Sequence, residues 1–117
     1  ILTSFDADGL ARVGFQGSVD DNVKRLAALT AEAGLNGVVC SSREVPLIRA
    51  AVDNPDFLTV CPGVRPEWSQ KGDQKRIMTP AQAMEQGVNH IVVGRPITKA
   101  ADPVEATLKI LAEMSVQ

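Results

Sequence analysis

Two short apolar runs each break on glycine or proline and then deliver an arginine, and a chain built from such runs has few folds open to it. The first is Leu58-Thr59-Val60-Cys61-Pro62-Gly63-Val64-Arg65-Pro66 and the second is Ile91-Val92-Val93-Gly94-Arg95-Pro96. An apolar strand without polar alternation is the pattern of a strand covered on both faces, as in parallel sheets. Glycine at the strand end lets a ligand approach the backbone closely, and arginine there can grip an anion through two parallel N–H donors. In α/β folds the carboxyl ends of the strands are where ligands gather. The feature predicts a parallel α/β sheet that recognises phosphate. It does not by itself give a reaction.

A β-then-α rhythm recurs about every 30 residues, which agrees with βα units. Residues 1–3 read as a strand end, and 4–14 as a loop with a short helical turn. Ser18 caps a helix reaching 29–33, with Asp20 and Asp21 favoured in its first turn and Gly34 closing it. Its apolar face carries Val23, Leu26, Ala27 and Thr30. Residues 37–40 form a short buried strand, and Ser41 or Ser42 caps a helix over 44–52. The next strand is 57–61, followed by a loop over 62–78 of the kind that is usually functional when it occurs inside a compact domain. Thr79-Pro80 starts a helix to about residue 86 before Gly87, and 90–93 is the last strand. Asp102-Pro103-Val104-Glu105 opens a final helix to about residue 114.

Composition narrows the function. Of 117 residues, 44% are hydrophobic and 22% charged, an ordinary globular balance for one domain. The net charge of −2 and the scarcity of aromatics (Phe5, Phe15, Phe57, Trp68) argue against a nucleic-acid surface. No apolar run approaches the ~20 residues of a membrane helix, and residues 1–4 have no signal-peptide character. Cys40 and Cys61 each end a strand without a C-x-x-C or a nearby histidine, so they read as buried reduced thiols of a cytosolic protein. His90, the single histidine, reads as structural.

Five segments then occur in one order at a recognisable spacing. They are Leu2-Thr3-Ser4, Gly34-Leu35-Asn36-Gly37-Val38-Val39-Cys40-Ser41, Pro62-Gly63-Val64-Arg65-Pro66, Gly72-Asp73-Gln74 and Val93-Gly94-Arg95-Pro96-Ile97-Thr98. Together they resemble the carboxyl-terminal half of the bacterial orotidine 5′-phosphate decarboxylases, cytoplasmic homodimeric enzymes of pyrimidine synthesis. The resemblance implies a single partial domain over 1–117, the second half of a (β/α)8 barrel with about four βα units. It implies a nucleotide substrate, no metal or organic cofactor, and a missing amino-terminal half-barrel as partner. Thr3 matches a substrate-contacting position, and Ser4 beside it would meet the pyrimidine edge. Arg65 and Gln74 match substrate contacts of a loop that closes over the ligand. Gly94 and Arg95 match the phosphate-binding pair after the last strand, in keeping with the habit of such barrels to hold phosphate at their last two loops.

One departure is large. The family's Asp-x-Lys-x-x-Asp network lies on an earlier strand, and the nearest string here, Asp73-Gln74-Lys75-Arg76-Ile77-Met78, lacks the second Asp. Catalytic residues are therefore expected outside this chain, which alone should be inactive. Other readings stay open at this point. Arg65 could brace its loop through Glu67 or Asp73, Thr3 could cap the following segment, and Trp68 could cover a ligand or meet another molecule. Lys71, Lys75, Arg76 and Lys99 read as solvated loop charges. A keto-sugar phosphate decarboxylase or a non-catalytic phosphate-binding half-barrel are the alternatives in function.

Overall fold

The computed structural model describes residues 1–2, 4–69 and 77–115. Its centre is a parallel sheet of three strands, β1 (Gly37–Val39), β2 (Leu58–Cys61) and β3 (His90–Ile91), in that spatial order. Gly37 pairs with Leu58, Val38 with Thr59 and Val39 with Val60; Val60 then pairs with His90 and Cys61 with Ile91. The strands are connected through helices: α1 (Ala7–Arg12) and α2 (Val19–Glu32) precede β1, and α3 (Val45–Ala51) joins β1 to β2. Helix α4 (Pro80–Glu85) leads to β3, followed by the short α5 (Arg95–Thr98) and by α6 (Pro103–Ser115).

The helix starts are chemically explicit. Ser18 accepts from Asp21 N at 3.0 Å, and Asp102 Oδ1 accepts from Val104 N and Glu105 N at 3.1 Å each. Thr79 forms a reciprocal box in which its Oγ1 accepts from Gln82 N at 3.2 Å while Gln82 Oε1 accepts from Thr79 N at 3.0 Å. Gly34 and Gly87 leave α2 and α4 at φ of 84° and 81°, the left-handed conformation that glycine adopts without a Cβ penalty. Helix α2 buries Val23 and Ala27 as its pattern requires, whereas Leu26 of the same face stays exposed. The core joins these residues to Val45 and Ile48 of α3, Phe57 just before β2, Cys61 of β2, and Ala83 of α4.

Two contacts compensate for the shortness of the strands. At the amino end of the sheet, Asn89 Oδ1 accepts from Thr59 N at 2.9 Å and Thr59 Oγ1 at 3.1 Å, and Asn89 N donates back to Thr59 Oγ1 at 3.2 Å. Arg49 donates to the same Asn89 oxygen and to the Phe57 carbonyl. This clip fixes the register of a β3 only two residues long. Between β1 and β2 the fit is so close that a Cβ on Gly37 would lie 2.3 Å from Leu58 O.

Two expectations need correction, and one helix gains a 3-10 entry. Ile1 and Leu2 are not in a strand: Leu2 O accepts from Phe5 N at 3.0 Å in a turn, although Ile1 still packs on the core. A strand exists only through pairing, and Ile1 and Leu2 pair with no neighbour; among the described residues there are three strands, not four. The helix expected over 44–52 is present as α3, Val45–Ala51, and is entered through a 3-10 turn, Ser42–Glu44, with Ser41 N donating to Glu44 Oε2 at 3.2 Å. The last strand stops at Ile91, and α5 after it was not anticipated.

Gly37→Ala is expected to lower stability by roughly 2–3 kcal/mol, because a methyl group cannot enter this backbone contact without separating β1 from β2. Urea unfolding should show a lower midpoint at unchanged slope.

Candidate functional site

Adjacent parallel strands end side by side, so whatever follows β2 and β3 is delivered to the same rim of the sheet. After β2 the chain passes Cys61 and Pro62 and turns at Gly63, whose φ of 74° suits glycine. Val64 then forms an isolated parallel bridge with Met78, and Arg65 N donates to Met78 O at 2.8 Å. Arg43 steadies the returning arm through Ile77 O at 3.3 Å. The two arms of the long loop are thus zipped at their base. Arg65 is set into that base and is only 6% exposed.

After β3, Val92 N donates to Cys61 O at 2.9 Å, and the chain turns at Gly94 into α5. Ile97 N and Thr98 N both donate to Gly94 O, at 2.9 and 3.0 Å. Arg95 is the first residue of α5, and Pro96 behind it fixes φ for a helix start. A Cβ on Gly94 would meet nothing within 4 Å, so the backbone there faces open space.

Arg65 and Arg95 line one pocket of about 550 Å³, together with Trp68, Ser69, Lys99 and Lys109. Asp102 and Glu105 are on its wall as well, so four basic side chains face two carboxylates. Asp102 is committed to capping α6, and Glu105 is paired with Lys109 at 3.1 Å. Among the described residues no group of three or more His, Cys, Asp or Glu is placed to hold a metal ion.

Arg65 and Arg95, both expected at the substrate, line one pocket, with Gly94 directly before Arg95. It does not bring Ser4 to the pocket; Ser4 is exposed in the turn between Leu2 and Phe5. Thr3 and Gln74 lie outside the described residues, as do Lys71, Asp73, Lys75 and Arg76. Sequence reasoning passed over Lys109 and read Lys99 as a solvated loop charge. The available signals were the proline behind Arg95, which marks a helix start, and the four-residue spacing of Glu105, Lys109 and Glu113 on α6.

Behind the rim, Cys40 and Cys61 are free thiols, buried, with their sulfurs 3.7 Å apart. The hydrogen bond to Cys61, and then burial, push the Cys40 thiol well above its ordinary range.

The family model described as orotidine 5′-phosphate decarboxylase / HUMPS family matches residues 1–110. The chain belongs to this family. It is 52% identical over 116 residues to the orotidine 5′-phosphate decarboxylase of Paramagnetospirillum magneticum, covering 99% of this chain and 49% of that protein. To the Rhodospirillum rubrum protein of the same name it is 54% identical over 114 residues, covering 97% of this chain and 46% of the other. The chain therefore spans about half the length of the curated relatives it matches. The crystal structure of orotidine 5′-phosphate decarboxylase from Lactobacillus acidophilus superposes with a TM-score of 0.79 at 36% identity, over 99% of this chain and 47% of that one. The fold is accordingly a partial (β/α)8 barrel, and the pocket lies at the carboxyl-end rim of the sheet, where barrel enzymes carry their loops.

The hydrogen bond that raises the Cys40 thiol lowers the Cys61 thiol, so burial rather than protonation is what slows the reaction of both thiols. Iodoacetamide at mildly alkaline pH should label Cys40 and Cys61 only after the chain is unfolded in urea; equal labelling rates in the folded and unfolded chain would contradict their placement.

Proposed function

We propose that this chain supplies the phosphate-gripping half of an orotidine 5′-phosphate decarboxylase, which converts orotidine 5′-phosphate to UMP and carbon dioxide in pyrimidine synthesis. The observation that carries the reading is the convergence of Arg65 and Arg95, from the ends of neighbouring strands, on the lining of one pocket. The names borne by the half-matched relatives supply the substrate class.

In this reading the chain is a single partial domain that works with a second half-barrel, in a cytoplasmic homodimer. Arg65 and Arg95 hold the phosphate dianion through charge-assisted hydrogen bonds, and the backbone at Gly94 approaches it closely. Gln74 reaches the ligand from the loop, while Thr3 meets the nucleoside end. The Lys/Asp machinery that protonates the ring carbanion after carbon dioxide leaves comes from the other half-barrel. The phosphate takes no part in the bond changes. Its binding energy fixes the pyrimidine against that machinery, a use of remote contacts that lowers the barrier only when they tighten in the transition state.

Arg95→Ala, made in a decarboxylase assembled with its Lys/Asp-bearing half, should reduce kcat/KM for orotidine 5′-phosphate. The expected cost is roughly 2–4 kcal/mol, the range for losing one arm of a charge-assisted contact. A loss below about threefold would remove Arg95 from the phosphate site.

A further inference from the structure

We infer that Trp68 is a positioning residue: by docking on α6 it holds the segment that carries Arg65 in the pocket. The inference rests on the phosphate reading of that pocket and deepens it. Trp68 is at the apex of a tight turn in which Ser69 N and Ser69 Oγ both donate to Pro66 O, at 3.1 and 3.0 Å. From there its indole N–H donates to Glu113 Oε1 at 3.3 Å, and Lys109 Nζ lies 5.7 Å from the ring centroid. That distance is within the ~6 Å reach of a cation–π contact. Lys109 is itself held by Glu105 Oε1 at 3.1 Å. Glu105, Lys109 and Glu113 are four residues apart and so form one ridge along α6.

Simple burial does not account for this arrangement, because the ring remains 46% exposed. What holds it is directional: one hydrogen bond and one cation over the ring face. Only Pro66 and Glu67 separate Trp68 from Arg65, and Pro66 is buried with a fixed φ. A displacement of the ring is therefore passed along a stiff link to the arginine. On the other side, Val64 and Arg65 are tied to Met78. Trp68 and the Met78 bridge thus hold Arg65 from both directions along the chain, and an anion that binds there meets a side chain already ordered.

Trp68 is the only tryptophan of the chain, so its fluorescence reports the dock directly. Lys109→Met and Glu113→Ala should each raise acrylamide quenching of Trp68, and unchanged quenching in both variants overturns the dock whatever the pocket binds. Trp68→Ala should weaken UMP binding, measured by calorimetry, about tenfold, the combined effect of one ring–cation contact and one hydrogen bond. Its melting temperature should stay at the wild-type value, because a half-exposed ring adds little to the core. Trp68→Phe, which keeps the ring and loses the N–H, should fall between the two. Undiminished UMP affinity in Trp68→Ala overturns the positioning role, as does a loss matched by a fall in melting temperature. A wild-type chain that binds no UMP overturns the phosphate reading and the positioning role with it, while the quenching result still decides whether the dock exists.

Discussion

The site depends first on the parallel pairing of β2 with β3. Because Val60 and Cys61 pair with His90 and Ile91 in the same direction, the two strands end on one rim and the segments after them emerge as neighbours. An antiparallel pairing would have sent Arg65 and Arg95 to opposite ends of the sheet. The arginines are separated by thirty positions in sequence, from Arg65 to Arg95, and only this register makes them lining residues of one pocket.

A ladder so short needs help, and the structure supplies it at both ends of the strands. At the amino end, Asn89 and Thr59 exchange hydrogen bonds and Arg49 adds a third donor. At the carboxyl end, Val92 N reaches back to Cys61 O, and the Val64–Met78 bridge closes the base of the long loop. The register clip and the arginine-lined pocket therefore lie on opposite rims. The polar clip lies where conservation of register matters, and the rim with the arginines is left open to a ligand. This division is the ordinary one for barrels, in which the carboxyl-end loops carry the chemistry.

Much of this was legible in the sequence because the signals are local. Ser18, Thr79 and Asp102 cap helices through contacts made within three residues, and the apolar runs around Val38 and Val60 pair as strands. What escaped was decided by neighbours distant in sequence. The strand expected at residues 1–3 needs a partner edge, and the described chain at Ile1 and Leu2 turns instead. Helix α5 is four residues long, too short for periodicity to reveal, and only Pro96 marked it. Of the site, Arg65 and Arg95 were readable from the glycine and proline beside them. Lys109 was not, because its role comes from Trp68 crossing to α6, a contact 41 positions away in sequence from Trp68 to Lys109.

The central claim is that the pocket between Arg65 and Arg95 recognises a phosphate rather than a nucleoside surface. Titration calorimetry of the chain with UMP and with uridine, side by side, tests it most directly. The account predicts that UMP binds and that removal of its phosphate abolishes most of the affinity, at least about a hundredfold, as the loss of two charge-assisted arginine contacts requires. Equal binding of uridine and UMP, or no binding of UMP at all, would contradict it.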